Sequence, residues 1–283
     1  VAGQIKELAK RHFHQQVSVT LVEGADAVLP PFGGGLSEYA KRSLTDSGVH
    51  VTYCLVTDGD AGGFEDGISR VEMAALRRRE QTAAAEILGV HDLMFLGYPD
   101  GRVVADLDLR RDISRVIREV RPTVLLGQSP ERNYDRIYPS HPDHLAVGEA
   151  TICAVYPDAR NPYSFPELLA EGLEPWTVQE VWMSTHPTPG DFVDVTAQID
   201  RKFAALACHQ SQHVDPVAME QRVRGWMSLV AEAFGLPAGP SGRMPLVGKR
   251  GPPSRVARRL RRHTLLARGA SGNTSSGRAP RLA

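Results

Sequence analysis

The sequence predicts an α/β protein: a doubly wound, mostly parallel Rossmann-like sheet with helices on both faces. Two observations carry that prediction. Between Gln16 and about Gly235, short β-branched runs alternate with segments of helical period, the pattern of strands joined by crossover helices. The chain of 283 residues is 42% hydrophobic, enough to bury a sheet on two sides. Taken in order, Val17–Val22 reads as the first strand and Leu36–Ser47 as an amphipathic helix. His50–Val56 is the second strand and Val71–Leu88 the helix after it, followed by strand Leu93–Leu96. Leu109–Val120 places Leu109, Ile113, Val116, Ile117 and Val120 on one helical face, and Thr123–Leu126 is the fourth strand. A helix opening at Pro142 and running through Val155, a strand at Val181–Ser184 and a helical pair, Ala197–Cys208 and Pro216–Phe234, complete the order. In such sheets ligands bind beyond the carboxyl ends of the strands. The loops there are Glu23–Gly35, Thr57–Gly67, Gly97–Arg102 and Gly127–Ser140.

Composition divides the chain into a leader (1–16), a folded domain (17–238) and a tail (239–283). The zero net charge conceals an asymmetry: beyond Glu232 there is no acidic residue, while Lys249 and ten arginines lie there. That segment is rich in Gly, Pro and Ser and reads as a disordered basic tail, since it offers too little apolar surface to offset its own ordering entropy. Arg255–Arg268 has the pattern of a short basic amphipathic helix, but without interleaved aromatics it does not argue for nucleic acid. No run of eighteen apolar residues exists, so no membrane partner is expected. Cys54, Cys153 and Cys208 are scattered in apolar segments and read as buried thiols of a cytoplasmic protein. Gly33-Gly34-Gly35 lacks the spacing of a dinucleotide loop, and Pro30-Pro31 removes backbone donors that a pyrophosphate would need. His12 and His14 precede the first strand and read as surface residues.

The most informative stretch is His141-Pro142-Asp143-His144. It sets two imidazoles three residues apart at a helix start, beside a carboxylate. Pro142 suits the first helical position, where its missing N–H costs nothing. His144 then sits in the first turn, where the positive end of the helix dipole keeps an imidazole neutral, as a metal ligand must be. The plainer alternative is a loop-to-helix junction whose histidines cap and pack.

Several further stretches, in order and spacing, resemble the PIG-L (LmbE-like) family of zinc-dependent N-deacetylases. Thr57-Asp58-Gly59-Asp60-Ala61-Gly62-Gly63 resembles the family's T-[DN]-G-E-x-G loop. Arg77-x-x-Glu80 with Ala84 and Leu88-Gly89 resembles its R-x-x-E helix, and Leu96-Gly97-Tyr98-Pro99-Asp100-Gly101 its LG-x-PDG turn. Lys202 with His209-Gln-Ser-Gln212 resembles its K…H-x-S-Q helix. The resemblance implies a hydrolase removing N-acetyl from an amino sugar or N-acetylglucosamine conjugate, with a small-molecule conjugate as its partner. It implies His144 as a zinc ligand, His141 as the cationic group for the oxyanion or leaving amine, and Asp143 as the partner of His141. Arg77 and Asp100 are implied as substrate contacts.

The family's A-H-P-D-D motif after the first strand has no counterpart; the corresponding residues read Ala25-Asp26-Ala27-Val28-Leu29. Asp26 stands at the ligand His, Val28 at the general base and Leu29 at the ligand Asp. Val and Leu neither bind zinc nor move a proton, whereas a catalytic zinc takes three protein ligands plus water. Three explanations stand open: a degenerate relative that binds the sugar conjugate without turning it over, a site rebuilt from Asp58, Asp60 or Glu23, or a locally shifted reading frame. Asp26 is the metal-ligand candidate on this side.

Overall fold

The computed structural model describes residues 17–23, 49–63, 67–135, 137–188, 199–213 and 215–233. The leader, His12 and His14, Asp26 and its neighbours, the glycine run 33–35, the helix expected over Leu36–Ser47 and the basic tail lie outside the described residues.

Five strands form one sheet: β1 (Val17–Glu23), β2 (Val49–Thr57), β3 (Asp92–Tyr98), β4 (Val124–Gln128) and β5 (Glu180–Ser184). Their order is β3-β2-β1-β4-β5, and every pairing is parallel. Chain order reverses at β1, so the crevice beyond the carboxyl ends of β1 and β4 is the topological switch point, where sheets of this kind bind ligands. All five predicted strands are present within two residues of their predicted ends.

Alternation along the strands builds two cores. Tyr53, Leu55, Val124, Leu126 and Trp182 face one side with α1 (Arg70–Leu88), α5 (Ile199–Ala207) and α6 (Pro216–Ala233). Cys54, Val56 and Leu125 face the other, against α2 (Leu107–Val120) and α3 (Pro142–Cys153). A parallel sheet buried on both faces needs this unbroken apolar content.

The helices start where the sequence supplies caps. Ser69 accepts from Glu72 N while the Glu72 carboxylate returns to Ser69 N, a reciprocal capping box that fixes the first turn of α1. Gly89 ends α1 in the left-handed conformation, and Asp106 caps α2. α3 stops at Cys153, short of the expected Val155, and passes into a π turn over Ala154–Asp158. The cause is Pro157: its ring excludes helical backbone at the preceding residue, and Tyr156 takes φ −150°, ψ 117°. Cys54 is buried as expected, but Cys153 and Cys208 are partly exposed because they lie at the ends of α3 and α5, where the chain leaves the sheet.

Between the π turn and β5 the chain makes an irregular excursion holding the short helix α4 (Pro166–Ala170). Arg118, fully buried on α2, organises it. Its guanidinium donates to the carbonyls of Asp158, Ala159, Asn161, Ser164 and Leu173 over 2.9–3.4 Å. Arg110 adds a bidentate pair to the Asp158 carboxylate at 2.9 Å. Among the described residues no helix is long and apolar enough to cross a membrane.

Candidate active site

The carboxyl end of β4 carries the two histidines into position. Gln128, its last residue, donates Nε2 to Pro139 O at 2.9 Å, which draws the end of the β4–α3 loop back to the strand. α3 then packs unusually close to the same strand end. A Cβ on Gly148 would lie 2.6 Å from Gln128 O, 2.9 Å from Pro130 N and 3.1 Å from Ser129 C, so only glycine permits this approach.

At the start of α3, His141 is the N-cap: its Nδ1 accepts from Asp143 N at 3.3 Å. A neutral ring accepting at Nδ1 must carry its proton on Nε2, so His141 presents an N–H donor outward. The His144 ring lies 5.3 Å away, centroid to centroid. Burial, then the neighbouring His141, depress the His144 pKa from 6.5 to about 4, with Asp100 opposing. His144 is therefore neutral at physiological pH, and its Nδ1 is buried without a hydrogen-bond partner. That is the expected state of an imidazole able to ligate a metal.

Asp143 is 1% exposed, and its carboxylate is committed to the turn after β3. Oδ2 accepts from Gly101 N at 2.6 Å and Oδ1 from Val103 N at 3.2 Å. Burial raises its pKa despite these two bonds and the nearby His141. Its link to His141 thus runs through its own backbone N–H and through space, while its oxygens tie α3 to the Pro99–Arg102 turn. That turn closes with Arg102 N donating to Pro99 O, and Gly101 takes φ +79° at the position where only glycine is unstrained. Asp100 is 7% exposed, and its charge acts on both Asp143 and His144.

The loop after β2 closes on the same turn. Asp60 Oδ1 accepts from Asp100 N at 2.8 Å and Oδ2 from Arg70 Nε at 2.6 Å. Burial raises the Asp60 pKa, but the Arg70 and Asp100 hydrogen bonds outweigh it and the net shift is downward. Arg70 Nη2 donates to Asp100 O at 2.9 Å. Asp58 is held bidentately by Arg78 at 2.7 and 2.8 Å, and that guanidinium also covers the Phe95 ring. Both carboxylates are thus engaged by arginines in this arrangement.

Arg77 sits elsewhere. It is 2% exposed inside α1, where Nη1 donates to Ser211 Oγ at 3.3 Å and to Glu80 Oε2 at 3.5 Å. Glu80 accepts from Ser211 N at 2.7 Å and from Ser211 Oγ at 2.8 Å. With its amide oxygen turned toward the donors, Gln212 accepts from Arg77 Nη1 at 3.0 Å and from Gly63 N at 3.2 Å. The R-x-x-E and H-x-S-Q motifs thus meet as one buried cluster that touches the far end of the β2 loop. His209 is buried beside it, with its pKa lowered to about 3 by burial and then by Arg77. Lys202, fully buried, is lowered to about 7 by burial.

The structure brings His141, Asp143, His144 and Asp100 together and leaves Arg77 in the adjoining cluster; Asp26 lies outside the described residues. Sequence reasoning passed over Arg70 and did not find the link from Asp60 to Asp100. A basic residue directly after a capping serine was the available signal, though nothing local said what it would reach. Among the described residues no three His, Cys, Asp or Glu side chains group as a metal site. Of the side chains gathered here, His144, with its neutral ring and unpartnered Nδ1, is the one whose donor chemistry suits a zinc ion.

Comparison with known proteins bears on the family and the fold. A family model described as GlcNAc-PI de-N-acetylase (PIG-L) matches residues 36–155. A protein of Bacillus cereus named "Probable N-acetyl-alpha-D-glucosaminyl L-malate deacetylase 2" is 30% identical over 178 residues, covering 60% of this chain and 74% of that one. The chain belongs to the PIG-L family. A diacetylchitobiose deacetylase of Thermococcus kodakarensis is 34% identical over 176 residues, 62% of this chain; the match spans 64% of that enzyme, just under two thirds of its length. Among solved structures, N,N'-diacetylchitobiose deacetylase from Pyrococcus horikoshii, complexed with an inhibitor, superposes with a TM-score of 0.72 at 25% identity, covering 88% of this chain and 89% of that one. Within this PIG-L chain the family match begins at Leu36, beyond Asp26, and runs through β2, α1, β3, α2, β4 and α3.

Proposed function

We propose that this chain is a zinc-dependent N-deacetylase that hydrolyses the N-acetyl group of an amino sugar or N-acetylglucosamine conjugate, releasing acetate and the free amine. The observation that carries the reading is His144, a neutral imidazole with a buried, unpartnered Nδ1, set beside His141 at the switch point of a PIG-L fold. In this reading His144 is a zinc ligand, with Asp26 the second candidate from the sequence. Bound there, the metal supplies a Lewis acid for the acetyl carbonyl and a water of lowered pKa.

The protein's own groups do the rest. His141, with its proton on Nε2, donates to the oxygen or nitrogen on which charge changes as the amide breaks. Its orientation is set by the Asp143 N–H, and Asp143 in turn holds the 99–103 turn, so the proton donor and the Asp100 carboxylate keep a fixed separation. In this reading Asp100 accepts from a sugar hydroxyl. Arg77, buried and committed to Glu80 and Ser211, contributes to substrate binding through the position of the β2 loop.

The test is zinc content and acetate release measured together. About one tightly held zinc per chain, with acetate released from N,N'-diacetylchitobiose and abolished by His144→Ala, is the expected result. Sugar binding without zinc or acetate release would instead identify a binding protein that keeps the cleft.

A further inference from the structure

We propose that Arg70 is a positioning residue for Asp100, acting through Asp60 to hold the Asp100 backbone so that its carboxylate stays beside His144. This deepens the reading above and rests on Asp100 being a substrate contact. Three hydrogen bonds close a ring among these residues: Arg70 Nε to Asp60 Oδ2 at 2.6 Å, Asp100 N to Asp60 Oδ1 at 2.8 Å, and Arg70 Nη2 to Asp100 O at 2.9 Å. Both peptide groups flanking the Asp100 side chain are thereby fixed, one by an acceptor and one by a donor.

The next amides, Gly101 N and Val103 N, are held by Asp143 from the opposite side. Asp100 is thus gripped between the β2 loop and α3. An isolated surface ion pair contributes little, because solvent screens it and two long side chains lose freedom. This arrangement differs from such a pair in its geometry. The planar guanidinium forks between a carboxylate and a carbonyl that belong to different segments, a shape an ammonium group does not reproduce. Arg70 itself is 45% exposed, so its removal leaves the cores intact.

The experiment compares wild type, Arg70→Ala, Arg70→Lys, Asp100→Asn and the double variant Arg70→Ala/Asp100→Asn, with N,N'-diacetylchitobiose as the probe. Arg70→Ala is expected to raise KM about tenfold, with kcat within about threefold and the melting temperature within about 2 °C. Arg70→Lys should lie nearer to Ala than to wild type. In the Asp100→Asn background the Arg70 substitution should add nothing, because its effect runs through that carboxylate. Additive effects on KM, or equal loss from both backgrounds, would overturn the proposal.

Amide hydrogen exchange supplies an arm independent of turnover. Protection of the Asp100 N–H should fall by at least about tenfold in Arg70→Ala, with smaller losses at Gly101 and Val103, which Asp143 holds. Unchanged protection at Asp100 would overturn the proposal whatever the kinetics show. A wild type that neither binds nor deacetylates the probe would count against the deacetylase reading, while the exchange data would still decide the role of Arg70.

Discussion

Adding one methyl group at two different glycines should have opposite effects, and the pair isolates what holds α3 against the sheet. At Gly148 the new Cβ would stand 2.6, 2.9 and 3.1 Å from backbone atoms of Gln128, Pro130 and Ser129. None of these is the end of a flexible side chain, so relief requires α3 to move away from β4 by roughly 0.5–1 Å. Overpacking of this kind costs about 1–3 kcal/mol, from which the better helix propensity of alanine returns somewhat under about 1 kcal/mol. The net loss is up to about 2 kcal/mol, or a melting temperature lower by up to about 8 °C for a domain of this size.

A Cβ added at Gly225, on α6, would meet nothing within 4 Å. Gly225→Ala should therefore stabilise by about 0.5–1 kcal/mol. Thermal and urea denaturation of both variants measure the contrast. Acetate release should fall further than stability in Gly148→Ala, because a shift of about 1 Å at catalytic groups costs on the order of 100-fold. A Gly148→Ala protein as stable as wild type and equally active would refute the claim that close approach sets the histidines.

Three other outcomes are expected. Asp143→Ala leaves the amides of Gly101 and Val103 without their acceptor and should cost about 2–4 kcal/mol, with Asp143→Asn costing about half, as read by urea midpoints. His209 binds its proton near 6.5 when unfolded and near 3 when folded, so between those values the unfolded chain holds more protons and stability falls as the pH is lowered. His209→Gln should flatten that decline, removing up to about 3 kcal/mol of the loss between pH 6.5 and 4 in denaturation curves taken across that range. Asp26→His, Val28→Asp and Leu29→Asp together should raise zinc affinity and turnover by supplying two ligands and a base, and unchanged zinc affinity by titration would count against the sequence correspondence.

The parts of the fold legible in the sequence are those written in local pattern. β-branched runs gave the strands, the apolar face of Leu109–Val120 gave α2, and Pro142 between two histidines gave the start of α3. The site was legible where its chemistry is contiguous, at His141–His144. It was not legible where partners are distant in the chain: Arg70 meets Asp60 across 10 residues and Asp100 across 30, and Asp60 meets Asp100 across 40. The Arg77–Glu80 pair was visible as an i,i+3 spacing, but its burial depends on Ser211, more than 130 residues away. No periodicity argument reaches over such separations, because they are set by which strands become neighbours.

Arg118 gives the excursion before β5 an all-or-none character. Five carbonyls between Asp158 and Leu173 share one guanidinium, so none can be released to solvent cheaply while the others stay in place. A stretch with little regular secondary structure would ordinarily fray residue by residue; here it should open as a single cooperative unit. Proteases meeting the native protein would then find it resistant throughout until the whole segment detaches, and nicking would report one opening equilibrium rather than a gradient along the loop.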